Sequence, residues 1–290
     1  SASSGLDIEM PITHFYGEKL LEAVREGEVT EQTIDESALR IIRTLLAHEH
    51  FIEEHKKEGS CDYRKHQELA LQCAREGITL LKNEDQLLPI DCKKRKKIVV
   101  LGSYADRENI GDRGSSQVYA PYVVTILQGI TEYPSDAEVI YYSGESASHC
   151  RRLAKEAVVV LVGGSMILMD EWEDQVGAIL MAYYPGMEGG KAVADVLFGK
   201  TNPGGQLPFV IPKKEEDLPE IDWDAEEFRY DYYHGYTLLN KSHVKPLYPF
   251  GYGLSYTTFT LAGMKAWRDE ENLYASVIAK NTGKWEGSEV

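Results

Sequence analysis

"VVVLVGG", Val158 to Gly164, is the stretch from which the rest of the chain is read. Five apolar residues follow one another without a polar interruption, four of them valine, and two glycines end the run. A half-exposed strand alternates apolar with polar; a strand that does not alternate needs cover on both faces. Its surroundings support the same reading. Upstream, "ITLLKN" (78–83), "KIVVLG" (97–102) and "EVIYYSG" (138–144) are strand-like, while "RKHQELALQCAREG" (64–77) and "HCRRLAKEA" (149–157) have helical spacing. Downstream, "EWEDQVGAIL" (171–180), "MAYYPG" (181–186), "GGKAVADVLFG" (189–199) and "QLPFVIP" (206–212) continue the alternation. Asp170, Glu171, Glu173 and Asp174 stand before an apolar run that reads as helical, where a helix dipole favours acidic groups by about 0.3–1 kcal/mol each. The fold class expected is α/β, a mainly parallel sheet layered between helices.

The flanks differ. Leu20, Leu21 and Val24 recur at helical spacing, and after Thr30, a fitting N-cap, Ile34, Ala38, Ile41, Ile42 and Leu45 form one stripe. The stripe dissolves into "HEHFIEEHKKEGS" (48–60), which reads as a charged linker. Residues 213–246 are polar, tyrosine-rich and without pattern, a surface excursion whose Tyr230, Tyr232, Tyr233, His234 and Tyr236 are expected to pack it onto the sandwich. Beyond residue 246, "LYASVIAKNTGKWEGSEV" alternates around an Asn-Thr-Gly turn and reads as antiparallel β, with too few strands to close a sandwich.

Composition excludes several roles. A formal net charge of −16 argues against nucleic acid as partner, since phosphate binding needs a basic face. The one basic run, Lys93 to Lys97, reads as a solvated flank of the strand that follows. No stretch approaches the roughly 20 apolar residues of a membrane helix, so no membrane partner is expected. The N-terminal residues show no signal-peptide pattern, and Cys61, Cys73, Cys92 and Cys150 form no CxxC, which suits free thiols; a cytoplasmic location is the expectation. His48 and His50, two apart, would not share a helix face, and neither "GGSMI" nor "GYGLS" is a G-x-S-x-G elbow.

Several motifs in register resemble glycoside hydrolase family 3 of the β-glucosidase type: "SGLDIEMP" (4–11), "GEVTEQTIDESALRIIRTLL" (27–46), "LALQCAREGITLLKNEDQLLPI" (69–90), "NIGDRGSSQVYAPYVVT" (109–125), "AILMAYYPGMEGGKAVADVLFGKTNPGGQLPFVIP" (178–212), and "YYHGYTLLN" (232–240) with "PLYPFGYGLSYTTF" (246–259). The resemblance implies that residues 1–58 are the tail of a (β/α)8 barrel and a linker, 59–212 an α/β/α sandwich, 213–246 a surface excursion, and 247–290 the start of a fibronectin-III-like domain. "PFGYGLSYT" would then turn the chain into that domain. The activity implied is hydrolysis of terminal β-glucosides or β-xylosides through a covalent intermediate, without metal or cofactor.

Retaining glycosidases need two carboxyl groups roughly 5 Å apart, one nucleophile and one acid/base. The resemblance places the family's nucleophilic aspartate upstream of "SGLDIEMP"; Asp7 matches the later motif and reads as a carboxylate holding backbone groups. The family's acid/base glutamate sits on a sandwich loop. Here "RRLAKEA" runs straight into "VVVLVGG", as though a strand, that loop and a helix were spliced out between Ala157 and Val158. Neither catalytic residue can be assigned, and Glu188, which opens a helix, reads as structural.

The loop "NIGDRGSSQVY" (109–119) lacks G-x-G-x-x-G and G-x-x-x-x-G-K-[ST], so a nucleotide cradle is unsupported. The resemblance makes it the loop that borders the sugar pocket. Arg113, Ser115 and Ser116 would donate and accept hydrogen bonds there, and Tyr119 would offer a ring face; the competing role for Arg113 is to hold the loop's own carbonyls. Two functions stay open, part of a retaining hydrolase or a non-catalytic carbohydrate-contacting or assembly module; a Rossmann-type binder lacks its fingerprint. An open sheet edge and an uncovered barrel-facing side predict self-association into a homo-oligomer. Light scattering on the purified chain should report more than one copy, and a clean monomer would count against it.

Overall fold

The computed structural model describes residues 2–10, 12–55 (backbone alone from 50 to 55), 62–111, 117–144, 157–222, 224–227, 229 and 231–289. The chain divides into two units, one over residues 1–62 and 113–117 and a larger one over residues 63–112 and 118–290.

In the smaller unit, α1 spans Glu18–Arg25 and α2 Glu31–His55. The Thr30 hydroxyl accepts the N–H of Thr33 at 3.2 Å and so caps α2 as expected. The helix does not stop where its apolar stripe does: residues 48–55, read as linker, are helical; three of them are glutamate, a strong helix former, and none is glycine or proline. No described residue of this unit is fully buried, and Leu6, Ile8, Met10, Ile12, Phe15, Leu45 and Leu46 are exposed.

The larger unit begins with α3 (Tyr63–Gly77), which feeds β1 (Thr79–Asn83). There follow β2 (Lys97–Leu101), α4 (Ile126–Thr131), β3 (Glu138–Tyr142), β4 (Val158–Leu161), β5 (Ala178–Met181) and α5 (Gly189–Leu197). The helix expected at 149–157 falls, up to residue 156, outside the described residues. The strands form two sheets: β1-β5-β4, and β2 with β3. β2 runs parallel to β3 and β4 parallel to β5, while β1 is antiparallel to β5 with a register shift between Leu80 and Lys82. The mainly parallel α/β reading stands.

The run Ala178–Leu180, expected to be helical, is strand β5. A short apolar stretch carries no periodicity that separates helix from strand, and here tertiary burial decides. All four β5 residues are at most 1% exposed. One core holds Leu80, Leu180, Val193, Val196 and Leu197, with Val158 and Val160 against it; the other holds Leu81, Ile179, Met181, Leu207 and Ile211, with Val159 against it. Successive residues of β4 and β5 thus enter opposite cores, as the two-residue strand period requires. β4 itself ends its sheet, and Val158, Val159 and Val160 are only half-buried. "QLPFVIP" forms no strand and contributes a single bridge, Ile211 to Tyr248.

Among the described residues of 213–246 are a 3-10 turn at Glu215–Asp217 and one short α-helix, α6 (Tyr236–Lys241). The tyrosines expected to pack inward do not: Tyr232, Tyr233 and Tyr236 are exposed, Tyr236 leans on the exposed Phe250, and Lys241 lies over the Tyr233 ring. Tyr230 lies outside the described residues. β6 (Phe259–Arg268) and β7 (Leu273–Asn281) make the expected antiparallel pair, with Trp267 stacked on Tyr274. The basic run Lys93–Lys97 is exposed throughout, with Lys97 paired to Glu138 at 3.5 Å. Cys73 and Cys92 are free thiols; Cys61 and Cys150 lie outside the described residues.

α3 and α5 are cross-linked through Asp195, a carboxylate 1% exposed in the middle of α5. Arg75 of α3 donates to it through Nε at 2.8 Å and through Nη2, and Lys200 Nζ lies 3.3 Å from its other oxygen. A buried carboxylate is tolerated only with such partners. Asp195→Asn keeps the shape and removes the charge, and should cost about 2 kcal/mol in urea unfolding; a loss below about 0.5 kcal/mol would show the pair to be dispensable.

Candidate functional site

The candidate site grows from the carboxyl end of β2, where open α/β sheets present their ligand loops. The chain turns at Gly102, whose φ of 106° lies in the region that favours glycine. Asn109 then donates through Nδ2 to the carbonyls of Tyr104 and Arg107, both at 2.9 Å, which fixes the loop's first limb. Arg113, Ser115 and Ser116 lie outside the described residues, so the geometry of the expected sugar-contacting triad is not part of the structure. Tyr119 is described and is 87% exposed, its ring open to solvent.

The second limb is fastened to the start of α5. The Tyr122 hydroxyl donates to Glu188 Oε1, the Val124 N–H donates to the Met187 carbonyl at 2.8 Å, and the Gly190 N–H donates to the Val124 carbonyl at 3.0 Å. Contact is so close that a Cβ on Gly190 would stand 1.9 Å from the Thr125 carbonyl oxygen. Thr125 then caps α4, its hydroxyl accepting the Gln128 N–H at 3.1 Å. Glu188 is buried, with Oε2 lacking a hydrogen-bond partner and Lys191 Nζ 4.0 Å away. Glu188 stands at the N-cap of α5. The bond to Glu188, helped by burial, pushes the Tyr122 phenol up to about 12. The sequence offered Tyr122 only as one residue of a motif; its partner stands 66 positions away.

Other carboxylates are already engaged. Asp7 accepts Arg40 Nε at 3.0 Å and the Ser37 hydroxyl at 2.7 Å, so it holds side chains and not the backbone groups expected. The Arg40 bond holds its carboxyl below the ordinary range. Glu173 sits in a 3-10 turn that precedes β5, so the helix-dipole reading of the acidic cluster falls. Its Oε1 accepts the Tyr248 hydroxyl at 2.7 Å, and Lys82 Nζ lies 3.6 Å from it and 3.1 Å from Glu84. Burial, followed by the bond to Glu173, raises the Tyr248 phenol further still. A lysine fills the space between these two carboxylates, where a sugar would have to stand. His48 lies on α2, and no group of three or more metal-ligating side chains occurs among the described residues. Nor is any described helix long and apolar enough to cross a membrane.

Comparison with known proteins gives this geometry a context. The family model for the glycosyl hydrolase family 3 C-terminal domain matches in two stretches, residues 78–150 and 143–256. Thermostable β-glucosidase B of Acetivibrio thermocellus is 29% identical over 99% of this chain and 46% of its own length; β-glucosidase BoGH3A of Bacteroides ovatus is 28% identical over 100% and 51%. The chain therefore spans about half the length of these curated relatives. The first alignment runs over 351 positions against 290 residues here, so at least 61 positions have no residue in this chain. Among solved structures, β-glucosidase 3B of Thermotoga neapolitana in complex with α-D-glucose superposes with a TM-score of 0.73 at 24% identity, over 97% of this chain and 52% of that one, a likeness of fold.

The clamp makes a pH-dependent prediction. With its folded-state value above the ordinary tyrosine value of about 10, the neutral Tyr122 phenol stabilises the fold fully below that pH, and the contribution is lost as pH rises through about 12. The urea midpoint of the wild-type chain should fall more steeply over this window than that of Tyr122→Phe. Equal slopes would remove the clamp from the account.

Proposed function

We propose, from the premise that this chain belongs to glycoside hydrolase family 3, that it is the sandwich-bearing part of a β-glucosidase-type hydrolase and shapes one side of the sugar pocket. The substrate class is a terminal β-glucoside or β-xyloside. The observation that supports this most is the fastening of residues 122–124 to the start of α5, with the ring of Tyr119, three residues ahead, exposed. In this reading Tyr119 lies under a sugar ring, while Arg113, Ser115 and Ser116 address its hydroxyls. The exposed apolar residues of α2 and of the first fifteen residues are the side that a (β/α)8 barrel would cover.

Residues 1–290 on their own do not hydrolyse glycosides in this reading. Double displacement needs a nucleophilic carboxylate and an acid/base carboxyl facing each other across the sugar. Asp7, Glu173 and Glu188 each already hold a structural partner. The reading of an excised segment is supported by the two-piece family match, although its pieces overlap at 143–150, upstream of the Ala157–Val158 junction read from the sequence, and by the 61 or more unmatched positions, whose place along the chain is not given by the alignment length. The same facts favour the second reading, a non-catalytic carbohydrate-contacting or assembly module. An aryl-β-glucoside assay on the purified chain should show turnover no higher than buffer. Robust turnover abolished by a point substitution within residues 1–290 would overturn this.

A further inference from the structure

We propose that the outer edge of β7 pairs antiparallel with the same edge of a second copy of this chain, about a two-fold axis at Val277, so that two hairpins join into one four-stranded sheet. Among the described residues β6 and β7 form a two-stranded sheet by themselves, and every residue from Thr260 to Lys284 is exposed. A lone two-stranded ribbon is marginal in water, and further strands are what make such a ribbon stable. Leu261, Leu273 and Val277 share one of its faces and are between 52% and 79% exposed.

Backbone hydrogen bonds fix which groups of β7 are open. At one end the Asp269 N–H donates to the Asn272 carbonyl at 3.0 Å; at the other the Thr282 N–H donates to the Thr258 carbonyl at 2.8 Å. Bonded residues alternate along an antiparallel ladder, so the even-numbered residues between these ends face β6. Leu273, Ala275, Val277, Ala279 and Asn281 therefore direct their N–H and C=O groups outward. This row is symmetric about Val277, and the strand holds neither glycine nor proline. A two-fold axis there sets Val277 against Val277 of the second copy, Ala275 against its Ala279, and Leu273 against its Asn281. Each such pair exchanges both of its N–H to C=O bonds, and no outward group is left over.

Charge points to the same occupant. The chain has a formal net charge of −16, yet β7 holds no acid and a single base, Lys280. The axis places Lys280 opposite Tyr274 of the second copy, so no like charges meet and a cation lies beside a ring. The other edge of the ribbon is unsuited to pairing. On β6 the register shifts between Ala262 and Lys265, around Gly263 with a φ of 64°. Such a bulge breaks the outward row and guards an edge against strand addition. The assembly therefore closes at two copies and does not extend into a fibre.

The test is residue-resolved hydrogen exchange by NMR on the full chain, followed from low to high protein concentration alongside light scattering. Exchange at Ala275, Val277 and Ala279 should slow about tenfold or more as the dimer forms. Leu261 and Ala266, on the outer edge of β6, should keep their rates. Val277→Lys sets two like charges against each other at the axis; it should restore the monomer, with fast exchange at Ala275 and Ala279. Met264→Lys, at the bulge of β6, should leave the dimer intact. The wild-type concentration series stands alone should either variant fail to fold. A chain that stays monomeric would overturn the proposal, as would a dimer whose three amides remain fast or one that survives Val277→Lys. So would protection of the three amides in the monomer, which would mean cover from within the chain. No readout involves turnover, so failure here is distinct from an active chain in the glucoside assay.

Discussion

A strand that is apolar on both faces has to be covered on both, and β5 is where this fold meets that demand. Ala178 and Leu180 enter one core, Ile179 and Met181 the other, and the strand is closed laterally by β1 on one side and β4 on the other. The elements around it follow. α3 and α5 lie over the first core and are tied to each other by Arg75 and Asp195; Leu207, Ile211 and Tyr248 cover the second. The start of α5 in turn holds the limb of the loop that contains Tyr122 and Val124. The geometry of the candidate sugar-facing loop is thus inherited from the burial of four residues.

Cover is less complete away from β5. β4 has the same apolar composition, yet among the described residues it ends its sheet half-buried, and the β2–β3 pair stands as a separate sheet that shares only one of the two cores. The smaller unit, in which no described residue is fully buried, raises the same question of cover at the other end of the chain.

Much of this was legible in the residues because the informative signals are local. "VVVLVGG" reads as a strand from composition alone, "GGKAVADVLFG" as a helix from spacing, and Thr30 as a cap from its place before an apolar stripe. What failed was context. "GAIL" is too short for its period to distinguish helix from strand, so β5 was legible as apolar and not as extended. α2 outran its stripe because the end of an apolar stripe does not stop a helix that meets no glycine or proline. The tyrosines of 232–236 are aromatic and yet exposed, since aromatic character does not say what a ring meets. At the candidate site, Tyr119 was legible as an exposed ring, but the Tyr122–Glu188 bond was not, because it joins two motifs that only the folded chain brings together.

The central claim is that these 290 residues hold no working pair of carboxylates. Its most direct test bypasses turnover. A retaining glycosidase traps an activated fluoroglucoside as a stable glycosyl ester on its nucleophile, and intact mass spectrometry reads the ester as one added sugar. The account predicts an unchanged mass after prolonged incubation. A single added sugar, mapped to an aspartate or glutamate within residues 1–290, would contradict it.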